Sequence, residues 1–519
     1  MLFNSYIFIF GFLPLTLALT YALGRRQWMA KLALTLLSLG FYAFWRPVHL
    51  PLLLFSIVFN FLMGGFIQRA RAAGRAKAVK WGLIGGIVVD VGMLGWFKYA
   101  NFIAANVTGA LGVEDPLPHI ALPLAISFFT FQKIAYLIDS SRGEAKKMSF
   151  LDFSLFAAFF PQLIAGPIVH YKEVVPQLQG RLFARRLGKN LLVGLTIFAM
   201  GLFKKTVIAD TLAAQAKPLF ELASQGHALN LGTSWLAAIL FTFQLYFDFS
   251  GYSDMAIGLG RMFGVKLPLN FHSPLRAASI IDYWRRWHMT LQRFIVAYIF
   301  QPLSLPLNRF AAEKGLEGWS AFGVAVAVPT FVTFVAVGIW HGAGWTFVAF
   351  GVMHAVYICI NEAWREQRKQ VRRRLRRQGK TLGEPRPVER AAYHLITLVA
   401  VIYANVMFRA ADVGAAGSVW SGMTGLNGLT LALPTDLGWD TAVALLLSVG
   451  LVFLAPNTQQ IMGRFDPAHN WREWRDTALA PIRWTWRASP AGLAFAGVTL
   501  IVGILAIQRG QAIFLYFNF

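Results

Sequence analysis

Three short clusters interrupt an otherwise apolar sequence, and each carries side chains able to hold or move a proton or grip an anion. One is GIWHGAGWTF, residues 338–347, where His341 sits among Gly338, Gly342 and Gly344 with Trp340 and Trp345 on either side. Histidine titrates nearest neutral pH of all side chains, so it is suited to take a proton from a hydroxyl. Glycines allow close backbone approach to a ligand and tryptophans wall off water, which makes His341 the candidate general base. A second cluster, IDYWRRWHMTLQRF (281–294), places Arg285 and Arg286 between Trp284 and Trp287, with His288 directly after. The arginine fork suits a phosphate or a thioester carbonyl, but the same quartet would serve as an interfacial anchor. His288 fits a buried hydrogen-bond partner as well as a catalytic group. The third cluster, QLYFDFSGYSDMAIGLGRMFG (244–264), sets Asp248, Tyr252 and Asp254 in a hydrophobic helix. A carboxylate at mid-bilayer costs roughly 2.5–3.5 kcal/mol, so it is kept with a partner or a task. The aspartates are expected either to pair with Arg261, Arg285 or Arg286, or to line a polar cavity.

The elements that must position these groups are membrane helices. Of 519 residues, 56% are hydrophobic and 14% charged, too little charge to cover a water-soluble globule of this size. Apolar runs at about 2–22, 30–45, 50–67, 83–104, 122–138, 191–209, 234–260, 322–340, 345–362, 391–408, 441–456 and 489–507 approach the roughly 20 residues that cross the hydrocarbon layer. The fold class expected is an all-α polytopic membrane protein of about 11–13 segments, one multi-pass domain over 1–519. Residues 150–170, broken by Pro161, Gly166 and Pro167, read as a segment that dips in and returns, and 270–320 is too polar for two clean spans.

The net charge of +24 is carried by loops. Arg69, Arg71, Arg75, Lys77 and Lys80 form one basic group; Arg142, Lys146 and Lys147 another; Lys172, Arg181, Arg185, Arg186 and Lys189 a third. Segments 105–121 and 410–463 contain no lysine or arginine. The positive-inside rule then puts the basic loops in the cytoplasm and both termini outside, and makes anionic lipid rather than nucleic acid the counter-charge. The stretch 364–390 reads as a basic cytoplasmic loop with a short helix on the leaflet, and about 410–440 as an extracytoplasmic loop. One cysteine, Cys359, excludes an internal disulfide and a multi-cysteine metal site; no metal is expected. Walker A, dinucleotide, H-E-x-x-H and G-x-S-x-G patterns are absent.

Taken together, the three clusters with LPLAISFFTFQKIAYLID (122–139), FPQLIAGPI (160–168) and the tail FLYFNF (514–519) resemble the membrane-bound O-acyltransferase family, in its bacterial branch of alginate O-acetylation and teichoic acid D-alanylation. The resemblance implies a helical fold around a funnel or tunnel, His341 as the family histidine and His288 as the second polar active-site position. It also implies an acyl thioester such as acetyl-CoA as donor substrate, with no tightly bound cofactor. The acyl group would cross the bacterial inner membrane to an extracellular polysaccharide, with an SGNH-type acetyltransferase partner and the polymer's synthesis and secretion machinery. The candidate substrate-binding residues are Trp284, Arg285, Arg286, Trp287, Trp340, Asp248, Tyr252 and Asp254. In the loop 293–318 the sequence departs from that branch, with Ala297 where an acid is usual. The rival readings are a proton-coupled transporter or flippase, which would show inverted repeats, and a non-catalytic scaffold.

Overall fold

A computed structural model describes residues 1–180, 187–381, 383–434 and 437–507, and every regular element among them is helical. Hydrocarbon offers backbone N–H and C=O groups no partners, so a helix, which satisfies its own, is what an apolar run must form. In chain order the helices are α1 Ile7–Ala22, α2 Gln27–Ala43, α3 Leu50–Ala72, α4 Ala76–Leu111, α5 Ile126–Arg142, α6 Phe150–Ala158, α7 Tyr171–Gln179, α8 Leu187–Ser224 and α9 Leu231–Met262. There follow α10 Ile280–Arg286, α11 at 289–313, α12 Gly318–His341, α13 Trp345–Arg377, α14 Pro387–Arg409, α15 Val413–Met423, α16 Trp439–Phe453 and α17 Pro490–Ala506. Large apolar side chains such as Phe10, Leu36, Phe55, Leu62 and Val88 stay exposed along α1–α4, as a lipid-facing surface requires.

The expected spans are present, as is the expected break in 150–170, with three differences. The 150–170 segment is broken as its prolines demand: α6 ends before Phe159, a short turn spans Phe160–Leu163, and extended chain follows. Nearly all of it is buried in protein, the condition under which non-helical backbone is tolerated at this depth. The basic stretch after residue 364 is not a separate helix on a leaflet. It continues α13, whose 33 residues extend about 50 Å, beyond the roughly 30 Å hydrocarbon layer. The 410–440 loop contains α15, started by Asp412 Oδ1 accepting from Ala415 N at 2.8 Å and packed through Ala415, Ala416 and Val419. The aspartates of α9 meet lysines rather than arginines. Of the residues named above, Arg181, Arg185, Arg186 and the 514–519 tail lie outside the described residues.

Helix α9 is the axis of the bundle, with nearly every residue from Gly232 to Met262 buried. It touches α8 through two glycine pairs. A Cβ on Gly194 would lie 2.5 Å from the Gly258 carbonyl, and one on Gly201 2.6 Å from the Gly251 carbonyl. Small residues give this backbone-to-backbone approach, the usual packing device where lipid removes the hydrophobic drive between helices. One turn beyond Gly201, α8 makes a π-turn at Lys204–Ala209, which presents successive lysines to α9. Lys204 pairs with Asp254 at 2.6 Å, while Lys205 pairs with Asp248 at 2.7 Å and Asp210 at 2.6 Å. Asp254 also accepts from Thr458 Oγ1 at 2.7 Å and Gln459 Nε2 at 2.8 Å, so the C-terminal third is tied to the same point.

Removing one member of a buried ion group strands the others. Lys205→Met is expected to destabilise the protein by about 3–5 kcal/mol, read as a lower thermal unfolding midpoint in detergent, and adding Asp248→Asn should recover part of the loss. An unchanged midpoint in the single variant would show that these pairs do not hold α8 to α9.

Candidate active site

His341 is the last residue of α12 and is 3% exposed. Helix α12 packs against α13 at glycines: a Cβ on Gly338 would stand 2.2 Å from the Phe347 carbonyl, and one on Gly351 2.3 Å from that of Phe334. A Cβ on Gly342 would strike the Phe347 ring at 2.1 Å. The space these glycines leave is therefore filled by the neighbouring helix, not kept for a ligand as their spacing suggested. Their service to His341 is indirect, because the tight turn sets its ring against Trp340 at 4.8 Å, Phe408 at 5.2 Å and Phe350 at 6.0 Å between centroids.

A helix end leaves its last carbonyls without intrahelical partners, and here a second helix supplies donors. The π-turn Gly95–Tyr99 of α4 carries Lys98, which donates to the Trp340 carbonyl, and Tyr99, whose hydroxyl donates to the Ile339 carbonyl at 2.9 Å. Lys98 also reaches Ser127 Oγ at 3.4 Å. Lys98 thus caps α12 beside the catalytic candidate, donating to a carbonyl that the helix itself leaves unpaired.

His288 lies on the other side of Trp340, with ring centroids 6.0 Å apart. It is 1% exposed and adopts φ 43°, ψ 51°, a left-handed conformation that costs a non-glycine residue about 1–2 kcal/mol. Asn270 holds it there. Met289 N donates to the Asn270 carbonyl at 2.9 Å, and Asn270 Oδ1 accepts from Thr290 Oγ1 at 2.9 Å and faces His288 Nδ1 at 3.1 Å. Asn270 Nδ2 donates to Ser253 Oγ of α9 at 3.0 Å. Because Asn270 Oδ1 is an acceptor, His288 carries its proton on Nδ1, and Nε2 is the basic nitrogen. Asn270, rather than an aspartate, fixes this tautomer. Irregular chain is tethered here too, with Ile168 N donating to Thr290 Oγ1 at 3.0 Å.

The other candidates divide between two cavities and the interior. Trp284 donates from Nε1 to His354 Nδ1 at 3.1 Å, Trp287 stacks on Tyr283 at 5.7 Å, and Trp340 stacks on Phe131 at 5.6 Å. Arg286 is held by Asp282 at 2.8 Å. Tyr252 stacks on Phe3 at 4.7 Å in the N-terminal aromatic cluster, while Asp248 and Asp254 sit in the ion groups described above. A cavity of 290 Å³ has His341, Trp340, Lys98, His49, Arg46 and His119 in its wall. A second, of 430 Å³, is lined by Trp284, Arg285, Thr330, Thr333, Val337 and Glu362. Val337 is one helical turn from His341, and Glu362 lies about 25 Å down α13 from its start, so the cavities approach the histidine from opposite ends of the bundle. Lys98, Asn270 and His354 were missed in the sequence. Lys98 and His354 were lone polar residues in apolar stretches, and Asn270 was one of several polar residues in 270–276, signals that mark interest but name no partner.

Residues 88–403 match the family model described as MBOAT, membrane-bound O-acyltransferase family. The chain is 38% identical over 459 residues to the peptidoglycan O-acetyltransferase of Helicobacter pylori, covering 83% of this chain and 81% of that protein. It is 40% identical over 369 residues to a probable alginate O-acetylase of Pseudomonas aeruginosa, covering 70% and 66%. It is 28% identical over 258 residues to the teichoic acid D-alanyltransferase of Streptococcus thermophilus, covering 49% and 60%.

If the His288 tautomer matters to turnover, Asn270→Leu should lower kcat by about 10²-fold, with Asn270→Asp, which keeps an acceptor, closer to wild type. Full activity in Asn270→Leu would separate this network from the chemistry.

Proposed function

The chain belongs to the membrane-bound O-acyltransferase family and is an acyltransferase, and from that premise we propose that it moves an acetyl group from a cytoplasmic thioester such as acetyl-CoA to an extracytoplasmic hydroxyl, for O-acetylation of an extracellular polysaccharide. The observation that supports this reading is His341 in the wall of one cavity, with a second cavity reaching Val337 one helical turn away. Arg46 and His49 stand at the start of α3, one helix length (about 35 Å) from Arg69 and Arg71 at its end. By the positive-inside rule the 290 Å³ cavity then opens outward, and the 430 Å³ cavity lies on the cytoplasmic side. The same rule sets both termini outside a bacterial inner membrane.

In the reaction proposed, His341 accepts the acceptor hydroxyl's proton as that oxygen attacks the thioester carbonyl. The tetrahedral intermediate collapses with loss of the thiolate, which takes the proton back, leaving an O-ester and a thiol. His288, basic at Nε2, orients the hydroxyl by accepting from it. Gly342 N is engaged with the Gly338 carbonyl at 3.4 Å and Arg285 lies in the inner cavity, so Lys98 is the cation best placed to offset charge near His341. Asp248, Tyr252 and Asp254 act by fixing α9, and Trp284 and Arg285 receive the donor. The polymer's synthesis machinery, supported by relatives named for alginate and peptidoglycan, and an SGNH-type partner acetyltransferase, expected from the family resemblance, complete the assignment.

Purified protein given a radiolabelled acetyl thioester should release free thiol and label an acceptor. His341→Ala is expected to lower that turnover by about 10²–10⁴-fold with an unchanged thermal midpoint. Undiminished turnover in the folded variant would remove His341 from the mechanism, and no cleavage by the wild type would remove the activity.

A further inference from the structure

Helices α16 and α17 both pack on α8, and between them a cavity of 270 Å³ opens toward the lipid. Leu447 and Phe495 stand at its edges, each 36% exposed, while Ser273, Thr458 and Phe247 close its buried end. The polar groups of that end are already engaged. Lys204 pairs with Asp254 at 2.6 Å, Thr458 Oγ1 donates to the same carboxylate at 2.7 Å, and Ser273 Oγ accepts from Asn457 Nδ2 at 2.9 Å. Groups so satisfied ask nothing of a ligand, whereas hydrocarbon in the slot gains dispersion contacts on both walls. The rim on the 464–488 side is of the opposite kind. The chain there is pinned: Ile482 N donates to the Leu454 carbonyl at 3.0 Å, Trp486 N to the Ile461 carbonyl at 2.8 Å, and Trp486 Nε1 to the Gly492 carbonyl at 2.8 Å. Trp484, between these anchors, sets its ring 5.0 Å from that of Phe495 at the cavity's edge, and tryptophan favours the headgroup layer. Arg483 and Arg487 flank it. Both are exposed and have no ion-pair partner among the described residues, whereas Arg475 in the same loop pairs with Asp476 at 2.9 Å.

We propose that this slot binds an anionic phospholipid: one acyl chain enters between α16 and α17, and the phosphate stays at the rim on Arg483 and Arg487. A basic rim over an apolar gap between membrane helices suits an acidic headgroup together with its tail. A zwitterionic lipid offers the same chain but gains little from the two arginines, because its own cation balances its phosphate. A soluble phosphate meets the rim and leaves the slot unused. The occupant therefore has to be an anion and a hydrocarbon at once. Its chain covers the stem of Lys204, whose side chain is 15% exposed, and keeps other polar groups away from the Lys204–Asp254 pair. The lipid thereby braces the α8–α9 seam. It takes no part in the chemistry, since the slot shares no lining residue with either cavity near His341.

The test places the protein in phosphatidylcholine nanodiscs with a trace of phosphatidylglycerol that carries a diazirine in its acyl chain, and maps the cross-links by mass spectrometry. Labels should concentrate on 447–456 and 495–499, at least about 10-fold above the yield from phosphatidylcholine carrying the same probe, as two arginines at the membrane surface imply. Arg483→Gln combined with Arg487→Gln should remove that excess. Arg372→Gln with Arg373→Gln, the same charge change on the exposed end of α13, should leave it in place. Equal labelling by the two lipids, or labels spread evenly over the lipid-facing surface of α1–α4, would overturn the site. Equal losses in the two double variants would also overturn it, by showing a diffuse attraction to the net charge of the chain. The thermal midpoint gives a second reading. Phosphatidylglycerol in place of phosphatidylcholine should raise it in the wild type and the α13 variant, and by less in the Arg483, Arg487 variant. An equal rise in all three would show that the lipid does not act through this slot.

Discussion

The contact on which the rest of the molecule depends is the seam between α8 and α9. Two glycine pairs bring the backbones together, and a π-turn immediately beyond them swings Lys204 and Lys205 onto Asp254, Asp248 and Asp210. Apolar surface is nearly worthless as glue in lipid, where the surroundings are as oily as the helix. Close backbone packing and buried charge take over that role. The charges are affordable only as a group, because each alone would demand desolvation with nothing in return.

From this seam the order passes to the chemistry in short steps. Ser253, beside Asp254 on α9, receives Asn270, and Asn270 holds His288 in its left-handed conformation and sets its tautomer. Across Trp340, α12 delivers His341 from a crossing with α13 that is tight for the same reason as the α8–α9 seam: glycines at the contact. Lys98 and Tyr99 finish the open carbonyls of α12. Both lysine-bearing devices are π-turns, where the extra residue turns a side chain onto a face that regular helix would deny it. The two histidines thus reach one tryptophan from different helices, and the outer cavity has Trp340 and His341 in its wall.

In the reaction proposed above, donor and acceptor enter by different cavities and meet without a continuous aqueous path. Trp340, Phe350 and Phe408 pack their rings around His341, which also borders the outer cavity, and such apolar walls strengthen each electrostatic contact inside. The inner cavity is mainly apolar with Arg285 and Glu362 in its wall, and the outer one is basic. Their different linings fit two substrates of different chemistry.

Much of this was legible in the sequence. Apolar run length fixes the helices because lipid allows a buried chain few other forms, and the prolines of 150–170 announce the break that the fold contains. His341 stood out because its tryptophan and glycine neighbours do, and the family resemblance rested on contiguous motifs. What the sequence could not supply were partners distant along the chain. Asp248 and Asp254 demanded cations, but Arg261, Arg285 and Arg286 were nearer in sequence than Lys204 and Lys205, and only the α8–α9 crossing makes the lysines nearer in space. Gly338 and Gly342 read as room for a ligand, whereas the packing of α13 shows them to be room for a helix. Asn270, Lys98 and His354 had no local pattern to betray them, since a hydrogen bond across 18 residues, or across 242, leaves no periodic trace. Periodicity and composition report each helix's relation to its solvent; its relation to the other helices is settled by the tertiary fold.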